Sequence, residues 1–274
     1  MKYIFLDIDG TLHSTKINDI PKSALLAIKR AKENGNKIFL CTGRALAVSK
    51  LFLDFDVDGF IFSAGSLVYI DGKKVFEKTM NRETLKYLMD MADKLEVGIC
   101  IEGYEKAYYD DRGYQSLIKY FSKGRSIEET EKIMLDNCYY PMKCYDYKDP
   151  VSKAIIYGNS FEHIYKFKDI LPDSLKGVLA FADEEQSNFG LEITDKYINK
   201  ATGIQHVLNQ YSNVTFNDVV AIGDSANDID MIKAASIGIA MGNAAISLKE
   251  VADFISSDIL DDGVYKAFEY YGLI

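Results

Sequence analysis

Cysteine is scarce and unpaired in this sequence. Its four residues, Cys41, Cys100, Cys138 and Cys144, form no CxxC, and no histidine lies near them at zinc-like spacing. That speaks against a thiolate zinc site and a redox dithiol, and leaves free thiols suited to a reducing cytoplasm, the expected location. Long apolar runs are missing as well. The opening MKYIFLDIDG meets an acid after a short apolar stretch, and nowhere do about 18 apolar residues follow one another without charge. Neither an export segment nor a membrane span is expected. Basic residues number 32 against 41 acidic ones, and the formal net charge is −9 with a pI near 5. Such a balance argues against a general nucleic-acid or acidic-membrane surface. Internal repeats, low-complexity tracts and heptads are absent, as are a GxxxxGK[ST] loop and a GxGxxG after a strand, so nucleotide-binding loops lose their main support.

What the chain does have is 274 residues, nearly half of them apolar, which is enough for a large core. Its first third alternates short apolar runs with amphipathic stretches: YIFLDID, PKSALLAIKRAKENG, KIFLCTG, ALAVSKLFLDF, GFIFSAG. The helix after Pro21 spaces Ala24, Leu25, Ile28 and Ala31 by three and four, and Gly35 is placed to end it. The same texture returns in ATGIQHVLNQY, DVVAIGD, DIDMIKAA and IGIAMG. Strands separated by helices imply right-handed crossovers and a parallel sheet. The expected fold is α/β, a doubly wound, Rossmann-like core built from residues 1–80 and 188–274. Residues 81–187 differ in composition, holding nine of the nineteen tyrosines within 101–150, and read as an inserted α+β cap domain. Asp71-Gly72 between β-rich runs marks a tight hairpin just before it. The tyrosines invite a stacking role over a flat ligand; half-buried packing in strands is the plainer reading. Arg112, Arg125 and Lys143 are candidate specificity residues of the insert, with solvated surface the plainer reading for each.

In an open parallel sheet, ligands bind at the carboxyl ends of the strands. Here those ends carry Asp7 and Asp9, then CTGR with Thr42, then SAGS, then GDSAND with Asp224, Asn227 and Asp228. Like-charged carboxylates gathered at one sheet edge raise one another's pKa unless a cation neutralises them. Asp7, Asp9 and Asp224 therefore imply a metal, and hard oxygen donors favour Mg²⁺ over zinc. An EF-hand reading of DIDG fails, because Thr11, Leu12 and Asn18 stand where that loop needs an acid or amide, a glycine and a glutamate. Thr42 and the backbone N–H of Gly43 are donors of the kind that hold phosphate, and Lys200 can supply positive charge beside them.

This ordered set resembles the haloacid dehalogenase-like phosphohydrolases, and among them the Cof-type group with a large cap inserted after the third core strand. The resemblance rests on DIDGTL at 7–12, CTGR at 41–44, Lys200 before ATG and GDSAND at 223–228, and continues through AMGNA at 240–244 and ADFISSDILDDGV at 252–264. It implies a Mg²⁺-dependent phosphatase acting on a small phosphomonoester, whether a sugar phosphate, a nucleotide or a cofactor phosphate. In that reading Asp7 is the nucleophile that becomes an aspartyl phosphate, and Asp9 the general acid and base. Mg²⁺ is held by Asp7, the Asp9 carbonyl, Asp224 and Asp228, the last either as ligand or as acceptor from bound water. Phosphate is held by the Ile8 N–H, Thr42, Gly43, Lys200 and Asn227. Residues two apart on an extended chain point to one side, which suits joint action of Asp7 and Asp9. One departure stands out: the group's third strand commonly ends in Asn-Gly-Ala, and here Ala64 replaces the amide. Two other readings share these residues, a phosphomutase or phosphotransferase and a non-catalytic phosphometabolite-binding protein.

Overall fold

A computed structural model describes all 274 residues, which fall into two compact units. The first comprises Met1–Gly43, Asp54–Glu77 and Ile198–Ile274; the second comprises Arg44–Leu53 and Lys78–Tyr197.

The first unit is built on an eight-stranded sheet. Strands β1 (Tyr3–Leu6), β2 (Lys37–Cys41) and β3 (Gly59–Phe62) run parallel, and β4 (Leu67–Ile70) and β5 (Lys73–Glu77) close that edge as an antiparallel hairpin. On the other side of β1 lie β12 (Val219–Gly223), β13 (Ile237–Ala240) and β14 (Phe254–Ile255), all parallel. Successive strands thus step away from β1 in one direction through β2 and β3, and away from β12 in the other. The boundary between β1 and β12 is the topological switch point, where strand ends open a crevice. Every residue of β1 and of β12 is buried, as expected for apolar runs in a parallel sheet covered on both faces.

Helix α1 (Lys22–Glu33) begins after Pro21 and stops where Gly35 takes φ +81°, the left-handed stop expected of it. Its buried face is Ala24, Ala27, Ile28 and Ala31; Leu25, expected in the stripe, is turned outward and 41% exposed. At the hairpin turn Asp71 and Gly72 both have positive φ, 48° and 72°, which lets the strands keep their twist.

The second unit has a six-stranded mixed sheet in the order β10 (Leu175–Asp183), β11 (Asn188–Asp195), β9 (Val151–Gly158), β6 (Gly98–Gly103), β7 (Ala107–Tyr109) and β8 (Tyr139–Pro141). Strand β11 lies beyond the boundary at 187/188 read from the sequence, yet it is hydrogen-bonded to β10 and β9 and belongs to this sheet. The hairpin that joins β10 to β11 has no glycine or proline at its tip to mark it. On one face α2 (Arg82–Lys94) and α5 (Phe161–Asp169) bury Leu85, Leu88, Ile164 and Phe167 against Ile99, Ile101 and Ile156. On the other, α3 (Asp111–Ser122) and α4 (Ile127–Asp136) bring Leu117 and Met134 onto Cys100 and Tyr157. Tyr108, Tyr139 and Tyr157 are buried in these clusters, so packing accounts for them. Arg112 pairs with Asp93 at 3.2 Å on the surface, and Arg125 donates to the carbonyls of Phe121 and Ser122 at the end of α3. All four cysteines are free thiols. No helix is long and apolar enough to cross a membrane.

Candidate active site

The site grows out of the ends of β1 and β12. The Asp7 N–H donates to the Ile222 carbonyl at 3.0 Å, which carries the β1–β12 ladder one residue past the strand and fixes the Asp7 backbone. The chain then turns back sharply: the Ile8 carbonyl accepts from the N–H groups of Leu12 and His13 at 2.9 and 2.7 Å. Gly10 sits in this turn at φ +83°, and a Cβ there would overlap the Asp224 carboxylate. Glycine is what allows the two strand ends to approach.

After β12, Asp228 organises the GDSAND loop. Its Oδ2 accepts from the N–H groups of Asp224 and Ser225 at 3.0 and 2.9 Å. Its Oδ1 accepts from Lys200 Nζ at 2.5 Å, and the same ammonium donates to Asp7 Oδ1. Lys200 is the first residue of α6 (Lys200–Leu208). A capping box holds it there: Asn199 Oδ1 accepts from the Thr202 N–H at 2.9 Å, and Thr202 Oγ1 accepts from the Asn199 N–H at 3.0 Å. The lysine is wholly buried. Burial alone would lower its pKa, but the carboxylates of Asp228 and Asp7 reverse that and hold it above the ordinary value.

The acids respond the other way. Burial raises Asp7 well above the usual carboxylate range, opposed by Lys200 and reinforced by Asp228 and Asp224. Asp224 is pushed up to about 7, first by burial and then by the charge of Asp228. Oxygens of Asp7, Asp224 and Asp228 all lie within 4.8 Å of one another, and Asp224 Oδ1 is buried without a hydrogen-bond partner. An orphaned carboxylate oxygen in an all-oxygen cluster, where burial sets Asp7 and Asp224 against ionising, fits a hard divalent cation.

The other expected residues divide. Thr42 is buried between β3 and the turn after it, its N–H donating to the Ile61 carbonyl at 2.8 Å and its carbonyl accepting from the Ala64 N–H at 2.9 Å. Gly43 adjoins Asn227, whose amide nitrogen would be 3.2 Å from a Cβ on Gly43. The Ser225 hydroxyl donates to Asn227 Oδ1 at 2.8 Å, which orients that amide. Asp9 stands apart from the carboxylate cluster: its side chain is 41% exposed, 3.8 Å from His13 Nδ1.

Three features were not read as functional from the sequence. His13 sits beside Asp9, and only its place in DGTLHS hinted at it. Asn243 ties two loops together, its Nδ2 donating to the Gly10 carbonyl at 2.8 Å and its Oδ1 accepting from the Ile259 N–H at 2.9 Å. Its signal in the sequence is AMGNA, part of the resemblance to the family. The third is the turn Ser63–Gly65, in which all three residues are left-handed, with φ of 48°, 51° and 116°. Each non-glycine residue there costs about 1–2 kcal/mol. Ala64 pays it without the amide that lets asparagine adopt this conformation more readily.

A model of the haloacid dehalogenase-like hydrolase family matches residues 4–268. The chain belongs to the haloacid dehalogenase-like hydrolases. It is 26% identical to a phosphoglycolate phosphatase of Methanobrevibacter smithii, covering 98% of both chains. It is also 26% identical to the 5-amino-6-(5-phospho-D-ribitylamino)uracil phosphatase YcsE of Bacillus subtilis, covering 100% of this chain and 96% of that one. Among solved structures, the subclass IIB sugar phosphatase BT4131 superposes over the full length of both chains with a TM-score of 0.78 at 24% identity, which establishes the fold. The chain is accordingly a phosphatase of this family, with the doubly wound α/β core expected from its sequence.

Proposed function

We propose that this phosphatase hydrolyses a small phosphomonoester through an aspartyl-phosphate intermediate on Asp7. The observation that carries the reading is the meeting of Asp7, Lys200, Asp224 and Asp228, drawn from three separated segments, around one buried ammonium. The two relatives named above differ in the molecule attached to phosphate and share the phosphomonoester, which supports the class of substrate and leaves its leaving group open.

In the first step an Asp7 carboxylate oxygen attacks phosphorus in line with the ester oxygen. The new O–P bond forms as the ester P–O bond breaks, and Asp9 gives its proton to the departing alkoxide. In the second step Asp9, now a carboxylate, takes a proton from water. The hydroxide oxygen attacks phosphorus, the bond to Asp7 breaks, and inorganic phosphate leaves with Asp7 restored. The partial exposure of Asp9 suits this exchange, since its proton must reach both an alcohol and water. Lys200, the Thr42 hydroxyl, the Asn227 amide and the backbone N–H groups of Ile8 and Gly43 would carry the charge spread over the phosphoryl oxygens. Asp7, the Asp9 carbonyl, Asp224 and Asp228 would hold Mg²⁺, which when bound supplies positive charge to the phosphoryl oxygens and lets the acids ionise together.

The test is Asp7→Asn assayed on p-nitrophenyl phosphate with Mg²⁺ against the parent. A loss of at least about 10³-fold is expected for removal of a nucleophile. A variant as fast as the parent would exclude Asp7 from that role.

A further inference from the structure

The left-handed turn after β3 lies between the two groups assigned to phosphate from opposite parts of the chain. On one side it holds Thr42, which is hydrogen-bonded at its N–H to Ile61 and at its carbonyl to Ala64. On the other it presses on the start of α6. A Cβ on Gly65 would overlap the carbonyl oxygen of Asn199 and stand 3.3 Å from the Gly203 nitrogen. A Cβ on Gly203 would stand 2.9 Å from the Gly65 Cα and 2.6 Å from Ile61 Cγ2. Asn199 is the N-cap of α6 and Lys200 is its first residue, so whatever displaces Asn199 displaces the ammonium.

We propose that Ser63–Ser66 is a clamp that sets the spacing between Thr42 and Lys200, with Gly65 and Gly203 as its positioning residues. The proposal rests on the reading of Thr42 and Lys200 as phosphate-binding groups. Gly65 meets Asn199 and Gly203 backbone against backbone, with the Ile61 side chain packed beside Gly203, so the helix start can come no closer. Conformations this sparsely populated persist where the surroundings over-determine them. The surroundings of this turn are Thr42 and the cap of α6, and Ser63, Ala64 and Gly65 are all buried between them. Ala64 preserves the clamp while giving up the amide.

Gly203→Ala is the primary test, because alanine is the better helix former and any loss must come from the close approach. kcat and KM on p-nitrophenyl phosphate, and inhibition by inorganic phosphate, are measured for Gly203→Ala, Lys200→Ala and the double variant, with thermal melts to verify folding. Gly203→Ala is expected to lower kcat/KM by about 10- to 100-fold and to weaken phosphate inhibition, as for a misplacement of about 1 Å. In the Lys200→Ala background it should cost nothing further, since the group it displaces is gone. Parental kcat/KM in folded Gly203→Ala, or a loss that adds in full to that of Lys200→Ala, overturns the clamp and leaves the function standing. Lys200→Ala with parental activity overturns the underlying reading of Lys200, and the clamp with it. If Gly203→Ala does not fold, Gly203→Ala/Ile61→Ala removes the Ile61 collision, keeps the approach to Gly65 and is read by the same criteria.

Discussion

Lys200 and Asp228 form an ion pair at 2.5 Å in which neither side chain reaches solvent. The same ammonium holds Asp7, and Asp224 completes the group. Three carboxylates against one ammonium leave an excess of two negative charges when all are ionised, in a place where burial already works against ionisation. One divalent cation balances that excess. In the proposed reaction the phosphoryl group would bring further negative charge to the same point, and the lysine would serve both the resting site and the loaded one.

Replacing Lys200 by methionine should therefore damage stability and rate together. Removing one partner of a buried pair leaves uncompensated charge, at a cost of about 3–5 kcal/mol. Urea unfolding in EDTA should read that loss, and added Mg²⁺ should recover part of it. Activity should stay at least about 10²-fold down with Mg²⁺ present, because the proposed donor to phosphate is missing. Unchanged stability in EDTA would mean that the ion pair contributes nothing.

Divalent cation should stabilise the folded chain measurably without any substrate. At a concentration about a hundredfold above its Kd, a ligand bound only by the native state adds about 2.7 kcal/mol. A thermal-shift titration with MgCl₂ should raise the parent's midpoint, and Asp224→Asn should abolish the rise, since Asp224 Oδ1 is the oxygen left without a partner. An equal rise in Asp224→Asn would place the ion elsewhere.

The strand ends were legible because chemistry and topology agreed there: Asp7, Thr42, Lys200 and the GDSAND acids are spaced as an α/β sheet delivers them, and apolar β1 and β12 flank the switch point. What was hidden depended on contacts distant in sequence. Leu25 matched the helical period as well as Ala27 did, and only the position of the sheet beneath α1 decides between them. Strand β11 follows the insert's other strands without a compositional break, so its membership of the second sheet rests on pairing with β10 and β9. Gly65 in SAGS and Gly203 in ATG lie in recognisable runs, but their close approach depends on a contact between segments far apart in sequence.

Gly10→Ala should destroy the metal response although it removes no carboxylate from the chain. Alanine at φ +83° is strained by about 1–2 kcal/mol. Its methyl would also occupy the space of the Asp224 carboxylate, forcing that side chain out of the cluster. We expect loss of the Mg²⁺-induced thermal shift and at least about a 10²-fold fall in rate. A Gly10→Ala variant that keeps the shift would show that the two strand ends have room to part.

Lys153 offers a pH test away from the chemistry. It is nearly buried between Glu192, at 2.7 Å, and Glu102, at 3.4 Å. Burial would lower its pKa, but the two carboxylates raise it above its ordinary 10.5, so its stabilising effect is fully present at neutral pH and is lost only above that range. Glu102 lies at the other limit: burial raises it from 4.5, with Lys153 opposing. Lys153→Met removes the opposition. The folded variant then prefers the protonated acid while the unfolded chain releases its proton near 4.5, so stability falls as pH rises, by up to about 1.4 kcal/mol per unit. Urea unfolding of parent and variant at about pH 5 and about pH 8 should show a gap that widens with pH. Glu102→Gln in the Lys153→Met background should remove that widening. A gap independent of pH would mean that Glu102 is neutralised by some group other than Lys153.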